Sequence, residues 1–187
     1  MLKSLALSII AFLGLSLNAQ QYMTKTGTIK FFSHTTLAHT TLEDIKAENR
    51  KVVSALDSKT GAMEFACLIK GFDFTNDAME LHFNESYLES AKYPKASFKG
   101  TVTDIAKVDF TKDGTYTSPF TGKLTMKNVT KDITGTATFV VKDGKVTATS
   151  KIKIKPKDYN ISIPATATAK IAEEIDVDII MDYTKKA

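Results

Sequence analysis

Apolar and polar residues alternate along many segments of this chain, which is the pattern of half-buried β-strands. In the segment 175–183, every second residue is apolar and aspartates fill most of the positions between them. The same period of two recurs in the segments 62–70, 96–102, 133–139 and 146–155. About eight such strands, without a strand–helix–strand rhythm, predict an all-β protein folded as one antiparallel barrel or sandwich. Closure into a barrel would remove the exposed strand edges.

Turn sequences that contain glycine separate these segments. Lys59-Thr60-Gly61, Asp113-Gly114 and Asp143-Gly144 supply residues that tolerate a positive φ. We therefore predict tight hairpins at these positions, which make the neighbouring strands antiparallel.

Two segments depart from the alternation and predict short helices. The first opens at Thr41, which is placed to act as an N-cap with Asp44 reaching back to it. The second spans 76–88, where apolar side chains recur at helical spacing. It should end before Tyr93-Pro94, because a proline disfavours the helical conformation in the residue before it.

The first residues have the features of a secretory signal peptide. Lys3 precedes an apolar run over 5–17 and the small residue Ala19. This run is shorter than the roughly 20 apolar residues that a membrane span needs. We expect cleavage after Ala19, so that residues 1–19 are a signal peptide and 20–187 form one domain, periplasmic or secreted. The alternative is a retained N-terminal anchor.

Composition narrows the classes of function. The formal net charge is +4, but the lysines are scattered among apolar residues and Arg50 is the only arginine. Nucleic-acid binders concentrate such charges on one face, so we expect a solvated lysine-rich exterior and no nucleic-acid partner. Because the apolar run is expected to be removed with the signal peptide, we also expect no stable membrane insertion. The single cysteine, Cys67, excludes an intramolecular disulfide, and its apolar neighbours indicate a small buried hydrophobe.

The sequence carries little catalytic or metal-binding chemistry. His34, His39 and His82 do not form a metal-ligand spacing. The first two belong to a five-residue tandem copy over 34–43, which we interpret as a lengthened loop at the barrel rim, a metal-binding histidine pair being the alternative. A Gly-x-Ser-x-Gly nucleophile motif is absent from the sequence. We expect no enzyme activity, no catalytic residues, no metal and no cofactor.

Three stretches, in order along the chain, resemble the YceI-like lipid/polyisoprenoid-binding family. A histidine-bearing helix sequence over 81–87 precedes a Lys-Tyr-Pro-x-x-x-Phe strand entry over 92–98, and 122–131 and 158–164 follow with similar hairpin and late-strand sequences. The resemblance covers about 22–183. It implies an eight-stranded antiparallel barrel of lipocalin-like shape, exported in bacteria, that carries an isoprenoid tail, such as that of a quinone or polyprenyl lipid, in an apolar tunnel.

Two features depart from the family's pattern. Asn128 stands where glycine is usual, but asparagine also adopts the left-handed conformation, so we expect the hairpin to survive. The duplicated stretch 34–43 is additional to the pattern. Since this loop and the 76–88 helix are expected to shape one mouth of the barrel, the duplication changes the geometry expected there.

An isoprenoid tail needs a continuous apolar wall, and its burial contributes roughly 25 cal/mol per Å² of apolar surface. The inward faces of the strands would supply that wall, and His82 would hydrogen-bond a head group at the mouth or, alternatively, only pack. The predicted ligand-binding residues are Ile29, Phe31, Met63, Phe65, Ile69, His82, Phe98, Leu124, Phe139, Ile152, Ile161, Val177 and Ile179.

These observations leave three hypotheses for the function. The first is an exported protein that binds an isoprenoid or another long-chain lipid. The second is an enzyme that acts on a lipid-like substrate in the same pocket, with His82 as acid or base. The third is a structural β-protein whose core is filled by the same apolar residues. The sequence leaves open whether the protein is a homodimer.

Overall fold

A computed structural model describes residues 21–34, 45–168 and 171–186. The described chain is built mainly from antiparallel strands. Their bounds are β1 Gln21–Ser33, β2 Ile45–Asp57, β3 Ala62–Leu68, β4 Asp73–Phe74, β5 Lys95–Val102, β6 Gly114–Met126, β7 Val129–Lys142, β8 Lys145–Ile154 and β9 Ile175–Lys185.

Eight of these strands close into a barrel. The sheet order is β1-β9-β8-β7-β6-β5-β3-β2, and β1 pairs with both β9 and β2. The two-residue strand β4 is an addition to this sheet, where it pairs with Ala47 and Glu48 of β2. The predicted eight-stranded antiparallel barrel is thus confirmed, with one extra short strand.

The alternation in the sequence places apolar side chains inside the barrel. In β9, Val177, Ile179, Met181 and Tyr183 are buried, whereas Asp182 is exposed. Successive side chains of a strand point to opposite faces, so a period of two separates the barrel interior from its surface.

Two hairpins have the tight geometry expected from their sequences. Asp143 and Gly144 join β7 to β8 with φ of 51° and 74°, and Lys127 and Asn128 join β6 to β7 with φ of 49° and 59°. Positive φ at both central residues defines the type I′ turn, whose twist matches antiparallel strands. The expectation that Asn128 preserves its hairpin is confirmed.

The hairpin predicted at Asp113-Gly114 is wrong. Gly114 begins β6 after the longer connection 103–113, which contains the 3-10 turn Ile105–Lys107. The connection is long because it folds back over the barrel end and buries three side chains there, Ile105, Val108 and Phe110.

One of the two predicted helices is found in the described residues. Helix α1 spans Asp77–His82, and the Oδ1 atom of its N-cap Asn76 accepts hydrogen bonds from two backbone N–H groups of the first turn. One π-helical turn, Phe83–Tyr87, continues it. The helix predicted to open at Thr41 starts outside the described residues, and it does not extend past Asp44, because β2 begins at Ile45. Among the described helices, none has the length and apolar character required to cross a membrane.

The barrel has two dissimilar ends. At the short-turn end lie the turns 58–61 and 143–144 and the connection 103–113. At the helix end lie the hairpin 127–128, the connection 69–94 that carries α1, and the segment between β8 and β9. The connection between β1 and β2 also starts and finishes at the helix end. Among the described residues, the long connections 69–94 and 155–174 thus start and finish at the helix end, and 103–113 does so at the short-turn end.

Candidate functional site

The barrel encloses a cavity of about 30 Å³. Its wall comes from the inward faces of β3, β5, β6, β7, β8 and β9 and is almost entirely apolar. Seven of the predicted ligand-binding residues line it, namely Met63, Phe65, Phe98, Leu124, Phe139, Ile152 and Ile179.

Eight further residues of the wall were missed by the sequence-based selection. Met181 and Tyr183 share the face of Ile179 in β9, and strict use of the period of two would have found them. The same rule finds the missed residues of β6, β7 and β8 except Thr149, which lies between the inward positions Ala148 and Ser150. The missed residues are Phe120, Ile133, Ala137, Ala148, Thr149, Ser150, Met181 and Tyr183.

Three phenylalanines form a layered part of the wall. The rings of Phe65 and Phe98 stack with their centroids 4.9 Å apart and an interplanar angle of 12°. Phe120 meets Phe98 edge-to-face at 5.8 Å. Such offset and edge-to-face arrangements are the favoured geometries of aromatic pairs, so this side of the cavity has a defined shape.

A pair of glycines makes room for the Phe98 ring. Gly100 and Gly122 are direct neighbours in β5 and β6. A Cβ atom on Gly122 would lie 2.4 Å from Phe98 Cζ, and one on Gly100 would lie 2.6 Å from the same atom. The ring therefore lies against bare backbone, and any larger residue at either position would displace it.

Thr149, Ser150 and Tyr183 are the residues of the wall that carry a hydroxyl group, and the Tyr183 hydroxyl is hydrogen-bonded within the protein. Tyr183 Oη lies 2.7 Å from Ser54 Oγ, and Ser54 Oγ donates to the Glu64 carbonyl oxygen at 2.9 Å. Since Ser54 has one proton to donate, Tyr183 donates to Ser54. Burial raises the pKa of Tyr183 to about 12, so its hydroxyl stays neutral at physiological pH.

The other predicted apolar residues lie outside this cavity wall. Ile29, Ile69, Ile161 and Val177 are buried in the hydrophobic core. Phe31 belongs to an aromatic cluster at the helix end. Contact of these residues with a ligand remains a prediction.

Aromatic clusters pack at both barrel ends. At the helix end, Phe31 stacks on Phe83 at 5.5 Å, and Phe72 and Phe74 pack against both rings. At the short-turn end, Phe110 lies 5.1 Å from Tyr22 and 6.1 Å from Phe139, measured between ring centroids. The cavity therefore lies between two aromatic plugs.

The residues with reactive side chains lie apart from the cavity. His82 is exposed on α1 and is not part of the wall. Cys67 is buried as predicted, and burial raises the pKa of its thiol to about 11, which keeps it protonated. His34 Nε2 lies 3.3 Å from Asp176 Oδ2, whereas His39 is outside the described residues. Within the described ranges, no three His, Cys, Asp or Glu side chains are grouped to hold a metal ion.

A family model described as the YceI-like domain matches residues 16–183. The chain belongs to the YceI-like family. This finding confirms the resemblance that the sequence motifs indicated, and the closed barrel is the fold shared with solved structures of YceI proteins. No curated protein matches the sequence.

Three solved structures illustrate the similarity of this YceI-like barrel to others. A polyisoprenoid binding domain from Saccharophagus degradans has a TM-score of 0.75 and 13% identity over 90% of this chain and 99% of that chain. BcnA from Burkholderia cenocepacia has a TM-score of 0.66 and 15% identity over 85% of this chain and 96% of that chain. The Campylobacter jejuni YCEI protein has a TM-score of 0.62 and 20% identity over 82% of this chain and 92% of that chain. At these identities the similarity establishes the fold.

Proposed function

We propose that this YceI-like protein binds an isoprenoid-type or other long-chain apolar molecule inside its barrel and releases it again. The main support for the proposal is the almost entirely apolar wall of the cavity inside the barrel. The YceI-like family match supports it, as does the similarity to a barrel named as a polyisoprenoid binding domain.

The chemistry of the wall suits a ligand without polar atoms. Burial of an apolar chain contributes roughly 25 cal/mol per Å² of surface removed from water. The hydroxyl of Tyr183 is already hydrogen-bonded to Ser54, so an apolar ligand beside it would leave no unsatisfied polar group. The wall contains no charged side chain.

The volume of the cavity favours a second candidate function. A space of about 30 Å³ holds no more than a few water molecules and is much smaller than an isoprenoid chain. An isoprenoid chain can enter only if wall side chains change rotamer or the barrel expands. A structural β-protein with a filled core would need no such change, and this observation keeps it as the alternative.

Binding, rather than catalysis, is the role that we propose for the interior. His82, the candidate acid or base of an enzyme, is exposed on α1 outside the cavity wall. The substitution His82→Ala should leave ligand retention unchanged. A variant that retained ligand but lost turnover of a lipid-like substrate would favour the enzyme hypothesis instead.

Extraction of the purified protein tests the proposal directly. Protein prepared without detergent should release an apolar molecule into organic solvent, identified by mass spectrometry, and native mass spectrometry should show the corresponding mass increment. Protein denatured and refolded without lipid is the matched control. If no apolar molecule is released, and refolded protein binds no added polyprenyl chain, the filled-core alternative is favoured.

We further propose that the protein is exported and that residues 1–19 are removed. The basic start, the apolar run and Ala19 support this proposal. Intact mass measurement of protein from the periplasm should show a chain that begins at Gln20. A full-length chain in the membrane fraction would support the retained anchor.

A further inference from the structure

The pairing between β7 and β8 covers only part of their length. Register pairs run from Lys142–Lys145 at the hairpin to Ala137–Ser150 and end there. In the described chain, residues 129–136 of β7 pair with β6 alone and residues 151–154 of β8 pair with β9 alone. The barrel wall therefore contains a seam, between 129–136 and 151–154, that no backbone ladder closes.

Side chains hold this seam together. Ser150 Oγ donates to the Thr136 carbonyl oxygen at 2.9 Å. One residue further, Ile152 packs beside Gly135, where a Cβ atom would lie 3.4 Å from Ile152 Cγ2. Each backbone hydrogen bond of a ladder contributes about 0.5–1.5 kcal/mol net. Because the seam lacks that ladder, separating its strands costs less than separating the continuously paired strands of the wall.

The cavity reaches the seam from the inside. Ile133 and Ala137 on the β7 side and Ser150 and Ile152 on the β8 side all line it. Ile133 and Ile152 are half-buried, so the apolar wall is exposed to solvent at this place. Phe83 and the other aromatic residues of the helix-end cluster are not part of the lining, so the cavity does not extend into that cluster.

A turn packs over the helix-end part of the seam. The chain leaves β8 and forms the 3-10 turn Pro156–Tyr159, which contacts β7. Lys127 Nζ, from the β6–β7 hairpin, donates to the Asn160 carbonyl oxygen at 3.3 Å and helps to hold this turn. The Tyr159 hydroxyl is buried without a hydrogen-bond partner among the described residues. The Tyr159 ring is 1% exposed and anchors the turn, but the unpaired hydroxyl costs about 1–3 kcal/mol and offsets part of that anchoring.

We propose that the seam is the entrance of the barrel, so that a long apolar chain enters sideways between β7 and β8 when the Pro156–Tyr159 turn lifts. This inference rests on the proposed binding function. Lateral entry suits a flexible chain, because the chain can insert along its length while both aromatic plugs stay packed. It also gives a ligand a route to the interior that does not pass through the aromatic cluster at either end.

A reversible lock across the seam tests the proposal. Thr134 and Lys153 would be opposite each other if the register of Ala137–Ser150 continued, and both are exposed. We would make T134C together with K153C in a Cys67→Ala background and bridge the pair by oxidation, or by a short bis-maleimide if the sulfurs lie beyond disulfide range. The matched control is V140C with T147C, at two paired outward positions of the same strands.

Uptake of a dansyl-labelled farnesyl chain is then followed by stopped-flow fluorescence. We expect the seam lock to slow uptake at least tenfold, reduction of a disulfide lock to restore the rate, and the control bridge to leave uptake unchanged. Equal uptake rates with the seam locked and unlocked would overturn the seam proposal while leaving the binding function intact. If the unlocked Cys67→Ala parent takes up no probe, both proposals fail.

Discussion

Aromatic side chains pack at both barrel ends, but the two clusters differ in burial. At the short-turn end, Tyr22 and Phe110 are 4% and 8% exposed. At the helix end, Phe31, Phe74 and Phe83 are only half-buried. The first cluster is covered by a connection folded over the barrel, the second by a short helix and its π-helical turn. Stability should therefore be concentrated at the short-turn end, and local opening at the helix end.

The same contrast applies along the pairing of β7 with β8. Next to the short-turn end, a type I′ hairpin starts a regular ladder from Lys142–Lys145 onward. Towards the helix end the ladder is replaced by the seam. Regular pairing holds strands together more firmly than side-chain contacts do. The half of the barrel nearer the helix end is therefore the half that can admit a ligand.

Removal of one aromatic ring from each cluster should cause the largest loss of stability and the clearest difference between the two barrel ends. Phe110→Ala should lower the free energy of unfolding by about 3–5 kcal/mol, because a buried ring leaves a cavity. Phe83→Ala should cost about half as much, since its ring is half-buried in the wild type. Urea denaturation of both variants measures the difference. Equal losses would contradict the contrast between the ends.

Alkaline pH should destabilise the protein by favouring ionisation of the buried Tyr183, which lies towards the short-turn end. Its folded pKa of about 12 exceeds the ordinary value of 10.0, so its neutral form is favoured in the folded state. The shifted pKa contributes about 1.4 kcal/mol per pKa unit to the free energy of unfolding. This contribution is complete below pH 10 and is lost as the pH rises towards 12. Denaturant titrations at pH 8 to 12 should show a steeper fall for the wild type than for Tyr183→Phe. If the stability of the wild type and of Tyr183→Phe falls in parallel with rising pH, the Tyr183 hydroxyl is not the cause of the fall.

Filling the cavity should weaken ligand binding at a moderate cost in stability. Ala148→Phe places a ring in the wall, and overpacking typically costs about 1–3 kcal/mol. We expect its affinity for a farnesyl probe to fall at least tenfold. Ala55→Phe, on an outward position of β2, is the matched control and should bind as the wild type does. Equal affinities of the two variants, measured by fluorescence titration, would place the ligand outside the cavity.

The smallest effects should come from two tyrosine hydroxyls. Tyr183→Phe removes the hydrogen bond to Ser54 and should destabilise the protein by about 1 kcal/mol. Tyr159→Phe removes a buried hydroxyl that has no partner among the described residues, so it should be neutral or stabilising. Thermal unfolding of both variants measures the sign. A clear loss of stability in Tyr159→Phe would show that its hydroxyl has a partner.

Local rules made much of this structure predictable. The period of two placed the strands and most inward residues, and Asp143-Gly144 and Asn128 fixed two hairpins through their positive φ. The same rules erred at Asp113-Gly114, where burial of the 103–113 connection decided the conformation. Turn chemistry describes a few neighbouring residues, whereas a connection folded over a barrel end depends on the whole core.

The sequence predicts which strand faces point into the barrel, but it does not predict the shape of the cavity that they line. Seven of its wall residues follow from alternation alone. The position of the seam does not, because the residues on either side of Ala137–Ser150 alternate in the same way and only three-dimensional pairing distinguishes them. His82 could not be placed from sequence either, since its helical spacing allowed either face and the fold leaves it exposed.

The central claim, that an apolar chain occupies the barrel interior, is tested most directly by methyl NMR. A geranylgeranyl chain is titrated into protein labelled on its isoleucine, leucine and valine methyl groups. We predict shift changes and ligand contacts at Leu124, Ile152 and Ile179 in the cavity wall, with none at the exposed outer residues Val53 and Leu68. Contacts confined to the outer residues, or no shift changes at saturating ligand, would contradict the claim.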